Sequence, residues 1–429
     1  MMQRQSNWLR DWLSNWLQTL LGAVRACCLC RCRPPGSSFW SLPEIVRNAG
    51  YTCRASQVTT QDGFILTIFR VGSHSKDENK SRRRPVVLLW HGLLDSAYTW
   101  VLPGKRGLLF SLVDEGYDVF LANNRGTTYS KRHAFLNPQT DEPYWDFTYD
   151  EMADFDVPAV ISSCLQISGA DTLQYVGHSE GTTQFFAAVS AGSLRKHDSD
   201  LLARIDSFVG LAPVASVTHM AGIFRILATF HIDRLTWACL PGHGEFLGAP
   251  SSYTRRALGA LVSIAPAFLG QILWLLTGKG QPLAFSKDPR KLAEFGEHEP
   301  GGTSALNMVH WAQGVRAPTK SPFRRFDYGP TRNKQRYGGR PTPPEYPLSE
   351  MWPRQTVLPT LLVSGTADEL ATPQGVAWLF KQLGGASESL MPRQPKLRRD
   401  SNAGLSGSRV GSRPRVGSPC EDTTARVRL

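Results

Sequence analysis

The feature that most constrains the fold is the segment LQYVGHSEGTTQFF, residues 173–186, in which a serine stands between two glycines. Residues 173–176 form a short apolar run of the kind that builds a strand, and the residues after Gly181 are typical of a helix. A tight strand-to-helix turn needs glycine beside the serine, because neighbouring backbone passes close to it. The turn is expected to raise the hydroxyl of Ser179 above the sheet as a nucleophile. The backbone N–H of Glu180 then points at a developing oxyanion.

Apolar segments on both sides of this turn predict a mostly parallel sheet. Each is apolar on both faces and ends in a loop with Gly, Asn or Asp, as buried parallel strands do. Crossover helices such as residues 155–167 would join them. Sites in such sheets form at the carboxyl ends of the strands, where Gly92, Ser179 and Asp368 fall. The clearest strand segments are PVVLLWHG (85–92), YDVFLANNRG (117–126), LQYVGHSEG (173–181), DSFVGLAPVA (206–215) and PTLLVSGTADE (359–369).

Two further motifs contribute to the predicted site. In HGLLDSAYTW, the backbone N–H of Leu93 is the natural second oxyanion donor, and Gly92 lets the backbone approach a substrate. We expect His91 to be a structural hydrogen-bonding residue rather than a base. In VSGTADEL, Asp368 comes just after a strand and follows Ser179 in the chain, as the acid of a serine–acid–histidine triad does in α/β-hydrolases.

These motifs together resemble the acid lipase family, which includes gastric lipase, lysosomal acid lipase and the yeast steryl ester hydrolases. The resemblance covers residues 43–383 and implies an α/β-hydrolase fold with a helical cap, or lid, inserted in it. It also implies that Ser179 is the nucleophile, Asp368 the charge-relay acid, and Leu93 and Glu180 the oxyanion N–H donors. The family commonly has Gln at the position of Glu180, and a carboxylate there weakens an oxyanion site. The matching blocks are VTTQDGFILTIFR, VVLLWHGLLDSAYTW, DEGYDVFLANNRGTTYSKRH, YDEMADFDVPAVI, YVGHSEGTTQFF, LAPVASV, GEFLGAP and GGTSALNMVHWAQGV.

The resemblance divides the chain into five parts. The hydrolase core is expected over residues 34–213 and again over 347–383, with the cap between them at 214–346. The cap contains ALGALVSIAPAFLGQILWLLTG, residues 257–278, which is apolar enough to resemble a transmembrane helix. Its proline and glycines, and its place between two members of one site, favour a cap, and a cap over a serine hydrolase suits water-insoluble substrates.

The two ends have a different character from the core. Residues 7–24 place Trp and Leu on one helical face and are too amphipathic to span a bilayer, so residues 1–33 are predicted to lie in a membrane interface. A cluster of four cysteines at 27–32 follows, where S-acylation would add a second anchor. A helix docked on the protein's own core, or a cleaved targeting peptide, are the alternatives. Residues 384–429 are rich in Gly, Ser, Pro and Arg and are predicted to form a disordered basic tail.

The charge excess says little about the substrate. The formal charge is +12, but residues 1–33 hold five arginines against one acid, and residues 384–429 hold nine Lys or Arg against four acids. The remaining +3 is ordinary for an enzyme core, and we find no basic-aromatic stripe that would indicate nucleic acid as a partner. The eight cysteines do not form a disulfide framework, which favours a reducing compartment.

The histidine of the triad is unknown. In the family it lies some tens of residues after the acid, whereas every histidine of this sequence precedes Asp368. The side chain of His178 is expected to leave the turn in a different direction from Ser179. His243, His298 and His310, in or near the cap, are the remaining candidates. The ten histidines are at positions 74, 91, 133, 178, 197, 219, 231, 243, 298 and 310.

Two explanations of the missing histidine stay open, and both bear on function. Either the residues after 383 are not the native ones, so that the family's last strand, last helix and histidine are absent, or the protein has lost its base. The first predicts a lipase or esterase that hydrolyses triacylglycerol or steryl ester through a serine acyl-enzyme, without metal or organic cofactor. The second predicts a catalytically dead, membrane-tethered lipid-binding protein. Either would act at a membrane, a lipid droplet or the endoplasmic reticulum surface, with a lysosomal or secreted location as the alternative.

Overall fold

The structure is a computed structural model, and it describes residues 41–73, 84–195, 200–230, 244–248, 295–353, 357–384 and 424–428. Within these residues one large sheet has the order β1-β2-β4-β3-β6-β7-β10-β11, with β5 paired to β2, and β8 and β9 form a separate antiparallel pair. The strands are β1 (Tyr51–Thr59), β2 (Phe64–Ser73), β3 (Val86–Trp90), β4 (Asp118–Leu121), β5 (Arg132–His133), β6 (Leu173–His178), β7 (Ile205–Leu211), β8 (Glu245–Phe246), β9 (Thr303–Ser304), β10 (Thr360–Gly365) and β11 (Thr424–Arg428).

The centre of the large sheet is parallel, as predicted. Strand β3 pairs parallel with β4 and β6, β6 with β7, and β7 with β10. All five predicted strands are present, and β1 and β2 add an antiparallel edge. The five residues of β3 are all buried because the sheet is covered on both faces. Leu88 and Trp90 belong to one hydrophobic cluster, and Val87 and Leu89 belong to the other, so alternate residues of an apolar run enter opposite layers.

Helices cover both faces of the sheet. The predicted crossover over residues 155–167 is confirmed by a helix at Val157–Ser168. Every residue of the helix that follows the serine, Glu180–Ser190, is buried. No helix among the described residues is long and apolar enough to cross a membrane. The helices are α1 (Leu42–Asn48), α2 (Tyr98–Val101), α3 (Leu108–Asp114), α4 (Tyr149–Glu151), α5 (Val157–Ser168), α6 (Glu180–Ser190), α7 (Gly222–Thr229), α8 (Ala305–Arg316), α9 (Pro330–Arg336), α10 (Leu348–Met351) and α11 (Pro373–Gln382).

A buried ion-pair cluster anchors the loop after β4. The guanidinium of Arg125 is fully buried and pairs with Asp156, at the start of α5, and with Asp62, in the turn between β1 and β2. It also lies over the ring of Phe64, with 4.1 Å from Cζ to the ring centroid. The cluster holds the loop that carries Asn124, which donates a hydrogen bond to Glu180 at the start of α6.

The end of the chain corrects one prediction. Residues 384–429 were expected to form a disordered tail, but Thr424–Arg428 forms β11 and pairs antiparallel with β10. The edge of β10 offers unpaired backbone N–H and C=O groups, and the alternating segment TARVR can satisfy them. The neighbour of β10 is therefore antiparallel, and no helix among the described residues follows it.

Several predicted segments lie outside the described residues. They are the amphipathic segment 7–24, the cysteine cluster, the apolar segment 257–278 and most of the tail. Of the predicted cap at 214–346, the described parts are 214–230, 244–248 and 295–346. Residues 295–346 pack against the core, because side chains of α8 form hydrogen bonds with Glu180 of α6.

Candidate active site

The turn around Ser179 has the strained geometry of a nucleophile elbow. Ser179 has φ 50° and ψ −115°, a region that L-residues rarely adopt. Its N–H donates to the carbonyl of Leu211 at 3.0 Å, which ties the turn to β7. A Cβ on Gly181 would lie 2.6 Å from the carbonyl oxygen of Trp90, so only glycine fits where α6 passes β3. The serine is half-buried at the carboxyl end of β6, as predicted.

The predicted oxyanion donors lie on both sides of this serine. Glu180 is the first residue of α6, where backbone N–H groups have no partner within the helix. Leu93 follows Gly92, and a Cβ on Gly92 would lie 3.1 Å from the Cβ of Ser179. The loop after β3 therefore passes directly beside the serine, which is the position that a second oxyanion donor requires.

The carboxylate of Glu180 is buried in a polar cluster that sequence reasoning missed. It accepts hydrogen bonds from Asn307 Nδ2 at 2.7 Å, Trp311 Nε1 at 2.8 Å and Asn124 Nδ2 at 3.0 Å. Burial raises the pKa of Glu180 above its ordinary value, and the three donors oppose that shift. Asn124 is itself held by Trp90 Nε1 and Gln184 Nε2. The available signals were the polar NN pair directly after a strand and the motif NMVHWAQ, but neither indicates its partner.

Asp368 lies beyond the carboxyl end of β10, as predicted. Its Oδ1 accepts the backbone N–H groups of Leu370 and Ala371, each at 2.9 Å. These bonds fix the carboxyl group in the loop before α11. Asp368 also lines a cleft of about 530 Å³ together with His219 and Arg225. Sequence reasoning did not single out His219, which comes from the loop between β7 and α7.

The rings of two described histidines make hydrogen-bonding contacts with residues other than Ser179. His91 is buried, its Nδ1 contacts the carbonyl of Gly92 at 2.8 Å, and its Nε2 accepts the N–H of Asn124 at 3.0 Å. Burial lowers the pKa of His91, so it is a neutral hydrogen-bonding residue, as expected. His133 contacts the carbonyl of Asp62 through Nε2.

The two described histidines from the cap region, which were candidates for the base, also contact residues other than Ser179. His298 is buried, stacks on Tyr98 with ring centroids 4.3 Å apart, and contacts the hydroxyl of Tyr129 at 2.7 Å. His310 contacts the carbonyl of Arg324 through Nε2 at 3.1 Å. Burial lowers the pKa of His310 to about 3, which makes it a poor base at neutral pH. His243 lies outside the described residues.

The remaining described histidines have exposed rings. His178 precedes the nucleophile, and its ring lies against Gly92 and faces Asp95, with 3.9 Å between Nδ1 and Oδ2. His219 is exposed in the cleft with Asp368. The structure thus brings the serine and both proposed oxyanion segments together, and brings one histidine into the cleft of the proposed acid. Within the described ranges no group of three His, Cys, Asp or Glu side chains is arranged to hold a metal ion.

Comparison with known proteins agrees with this geometry. Residues 42–104 match the model of the partial alpha/beta-hydrolase lipase region, and residues 85–222 match that of the alpha/beta hydrolase fold. Gastric triacylglycerol lipase of Rattus norvegicus is 34% identical over 352 residues, 80% of this chain and 82% of that protein. Lipase member M of Homo sapiens is 34% identical over 81% of this chain and 78% of its own length. Lipase lipl-1 of Caenorhabditis elegans is 33% identical over 78% and 80%. This chain therefore belongs to the acid lipase family of α/β-hydrolases.

Proposed function

We propose that this protein hydrolyses carboxylic esters of neutral lipids through an acyl-enzyme on Ser179. The observation that carries the proposal is the strained turn at Ser179, with the first N–H of α6 on one side and the loop of Leu93 on the other. A backbone conformation this unfavourable costs on the order of 1–3 kcal/mol and persists where it serves a site. A plain strand-to-helix connection has no need of it.

The proposed reaction follows from these positions. The Oγ of Ser179 attacks the acyl carbon, and its proton passes to a base held by Asp368. The N–H groups of Leu93 and Glu180 stabilise the oxyanion of the tetrahedral intermediate. The base returns the proton to the leaving alcohol, and water then releases the fatty acid from the serine by the same route. Both acylation and deacylation therefore rely on side chains for nucleophilic attack and proton transfer, on backbone N–H groups for the oxyanion, and on water for release of the acid.

Triacylglycerol or steryl ester is the proposed substrate class. The relatives named as gastric triacylglycerol lipases support the first, at 34% identity over most of both chains. The apolar segment 257–278, within the proposed cap, suits long acyl chains of either substrate. Turnover of matched emulsions of the two esters by the same preparation would decide between them.

An active-site label tests the chemistry. The purified full chain is treated with an alkyl fluorophosphonate, and the modified residue is found by mass spectrometry. We expect labelling at Ser179 and its loss in Ser179→Ala, together with loss of long-chain ester hydrolysis by about 10⁶-fold where the triad is complete. Hydrolysis that persists at a near-normal rate in Ser179→Ala would refute the assignment. His219→Ala, with His133→Ala as its matched control, tests whether the histidine in the Asp368 cleft serves as the base.

The second candidate function is lipid binding without hydrolysis. It is favoured by the placement of the described histidines, of which His91, His298 and His310 are buried in contacts with residues other than Ser179. It predicts that the full chain binds a long-chain ester, that the ester stays intact, and that the fluorophosphonate labels Ser179 scarcely at all. Rapid labelling would reject this candidate.

Residues 1–33 are proposed to hold the protein at a membrane or lipid-droplet surface. Each Trp or Leu that inserts fully contributes roughly 1.5–3 kcal/mol, and acylation of the cysteines would make attachment durable. A lysosomal or secreted location is the alternative, in keeping with the relatives named as gastric lipases. Deletion of residues 1–33 is expected to release the protein from the membrane fraction of cells. Unchanged sedimentation with membranes would contradict this anchor.

A further inference from the structure

The loop that carries Leu93 is held in an unfavourable conformation by a distant segment. Leu94, the next residue, has φ 61°, which is rare for a side chain of this size. Its carbonyl accepts the N–H of Gly301 at 2.8 Å, and the carbonyl of Gly301 accepts the N–H of Thr128 at 2.8 Å. A Cβ on Gly301 would lie 2.3 Å from the carbonyl oxygen of Asp95. Residues 299–301 therefore press directly on the loop.

Side chains join the same two segments. The hydroxyl of Ser96 donates to Oε1 of Glu299, 203 residues away in the chain, and the N–H of Ser96 donates to Oδ1 of Asp95 at 2.9 Å. Ser96 and Glu299 are both buried. We call Asp95, Ser96 and Glu299 the acid clamp.

The second oxygen of Glu299 points to a shared proton. Among the described residues, Oε2 of Glu299 is buried and receives no hydrogen bond from an N–H or hydroxyl group. Burial, and then the charge of Asp95 and a hydrogen bond between the two acids, raise the pKa of Glu299 well above its ordinary value. Two neighbouring carboxyl groups, of which Glu299 is buried and Asp95 is partly buried, do not both ionise readily. A proton on Oε2 would let Glu299 donate to Asp95 and would satisfy the unpartnered atom.

Other titratable groups surround the acid clamp. His178 faces Asp95 from β6, with 3.9 Å between Nδ1 and Oδ2, and the buried His91 also feels the charge of Asp95. Glu297 and His298 precede Glu299 in the chain, and His298 is stacked on Tyr98. His178 is therefore the neighbouring side chain that the experiment must control for.

We propose that Glu299 and Asp95 share one proton, and that this acid clamp positions the Leu93 N–H for ester hydrolysis at Ser179. Glu299 is then a positioning residue, which acts through the loop and does not touch the substrate. Its catalytic consequence rests on the proposed function, whereas the shared proton does not depend on it.

The raised pKa of Glu299 makes the stability of the protein depend on pH in a predictable direction. Because the pKa of Glu299 is raised in the fold, its contribution to stability is fully present below its ordinary value of 4.5 and is lost as the pH rises through the folded pKa. Glu299→Gln replaces the shared proton with a permanent amide donor and still accepts from Ser96. We expect the Tm of Glu299→Gln to fall less with rising pH than that of the wild type. Glu350→Gln, at an exposed carboxyl group, is the matched control.

Labelling of Ser179 by the fluorophosphonate, followed from pH 4 to 9, tests the positioning role. Glu299→Ala, which removes the clamp, is expected to label about 10²-fold more slowly, as a displaced oxyanion donor predicts. As Glu299 loses its proton at alkaline pH, the wild type is expected to label more slowly. Glu299→Gln is expected to retain the acid-pH rate and to lose the part of the alkaline decline that depends on Glu299, whereas His178→Asn should keep that part. If His178→Asn loses it and Glu299→Gln declines as steeply as the wild type, the proposal is overturned.

Failure of the proposed function would look different. In that case no form of the protein labels at Ser179, while the pH dependence of Tm still separates the wild type from Glu299→Gln, which supports the shared proton. Identical Tm profiles for these two proteins, or an unchanged labelling rate in Glu299→Ala, would overturn the acid clamp.

Discussion

Glu180→Gln separates the two roles of Glu180, whose backbone is a proposed oxyanion donor and whose carboxylate is buried. The glutamine Oε1 keeps the hydrogen bonds from Asn307 and Trp311, which both reach Oε1 of Glu180. Its amide nitrogen then faces the amide nitrogen of Asn124, which donates to Oε2 in the wild type. Asn124 cannot turn over freely, since its Oδ1 accepts from Trp90 Nε1. The variant thus loses one hydrogen bond, worth about 1–3 kcal/mol.

The charge of Glu180 acts in the opposite direction on catalysis. By covalent geometry its carboxylate lies ~6 Å from an oxyanion at its own N–H, and at an effective dielectric constant of about 20 the repulsion is roughly 3 kcal/mol. Removing the charge is therefore expected to speed oxyanion formation by about 10²-fold. Burial raises the pKa of Glu180 from its ordinary 4.5, so the carboxyl group is neutral at acid pH. The advantage of Glu180→Gln should appear only as the pH rises through the folded pKa.

The second-order rate constant for fluorophosphonate labelling of Ser179 measures this effect between pH 4 and 9. Glu180→Gln should match the wild type at the acid end and exceed it at the alkaline end, whereas Glu350→Gln should match it throughout. Urea denaturation provides the stability comparison. Glu180→Ala leaves three buried donors unpaired, and its free energy of unfolding should fall by several kcal/mol, about 1–3 for each donor. A rate ratio that does not change with pH would refute the electrostatic reasoning.

Three further outcomes are expected. Arg125→Met leaves the buried Asp156 without its cation and should lower the free energy of unfolding by about 3–5 kcal/mol in urea, and a loss below about 1 kcal/mol would contradict a buried ion pair. Gly181→Ala places a Cβ 2.6 Å from the Trp90 carbonyl oxygen and should abolish labelling of Ser179 in protein that still gives a folded circular dichroism spectrum. Deletion of residues 424–429 uncovers the edge of β10 and should increase aggregation in light scattering, so an unchanged aggregation rate would argue that β11 does not protect this edge.

Local pattern was sufficient for the framework of the fold. The five parallel strands were predictable because each is an apolar run bounded by turn residues, and the rule that links such runs through crossover helices is general. The placement of Ser179, Leu93 and Asp368 at carboxyl ends of strands follows from the same pattern. These features depend on interactions between residues close in sequence. They can therefore be predicted without knowing which distant residues come into contact in the fold.

The environment of the site was decided only by tertiary structure. Asn307 reaches Glu180 across 127 residues, and Ser96 reaches Glu299 across 203. Sequence periodicity does not reveal such pairs, because they depend on how the layers of the fold pack together and on which buried donors need a partner after packing. The antiparallel β11 has the same origin, since a short segment without its own core takes its conformation from an available sheet edge. The elbow is thus a property of a few neighbouring residues, whereas the charge state and rigidity around it are properties of the packed molecule.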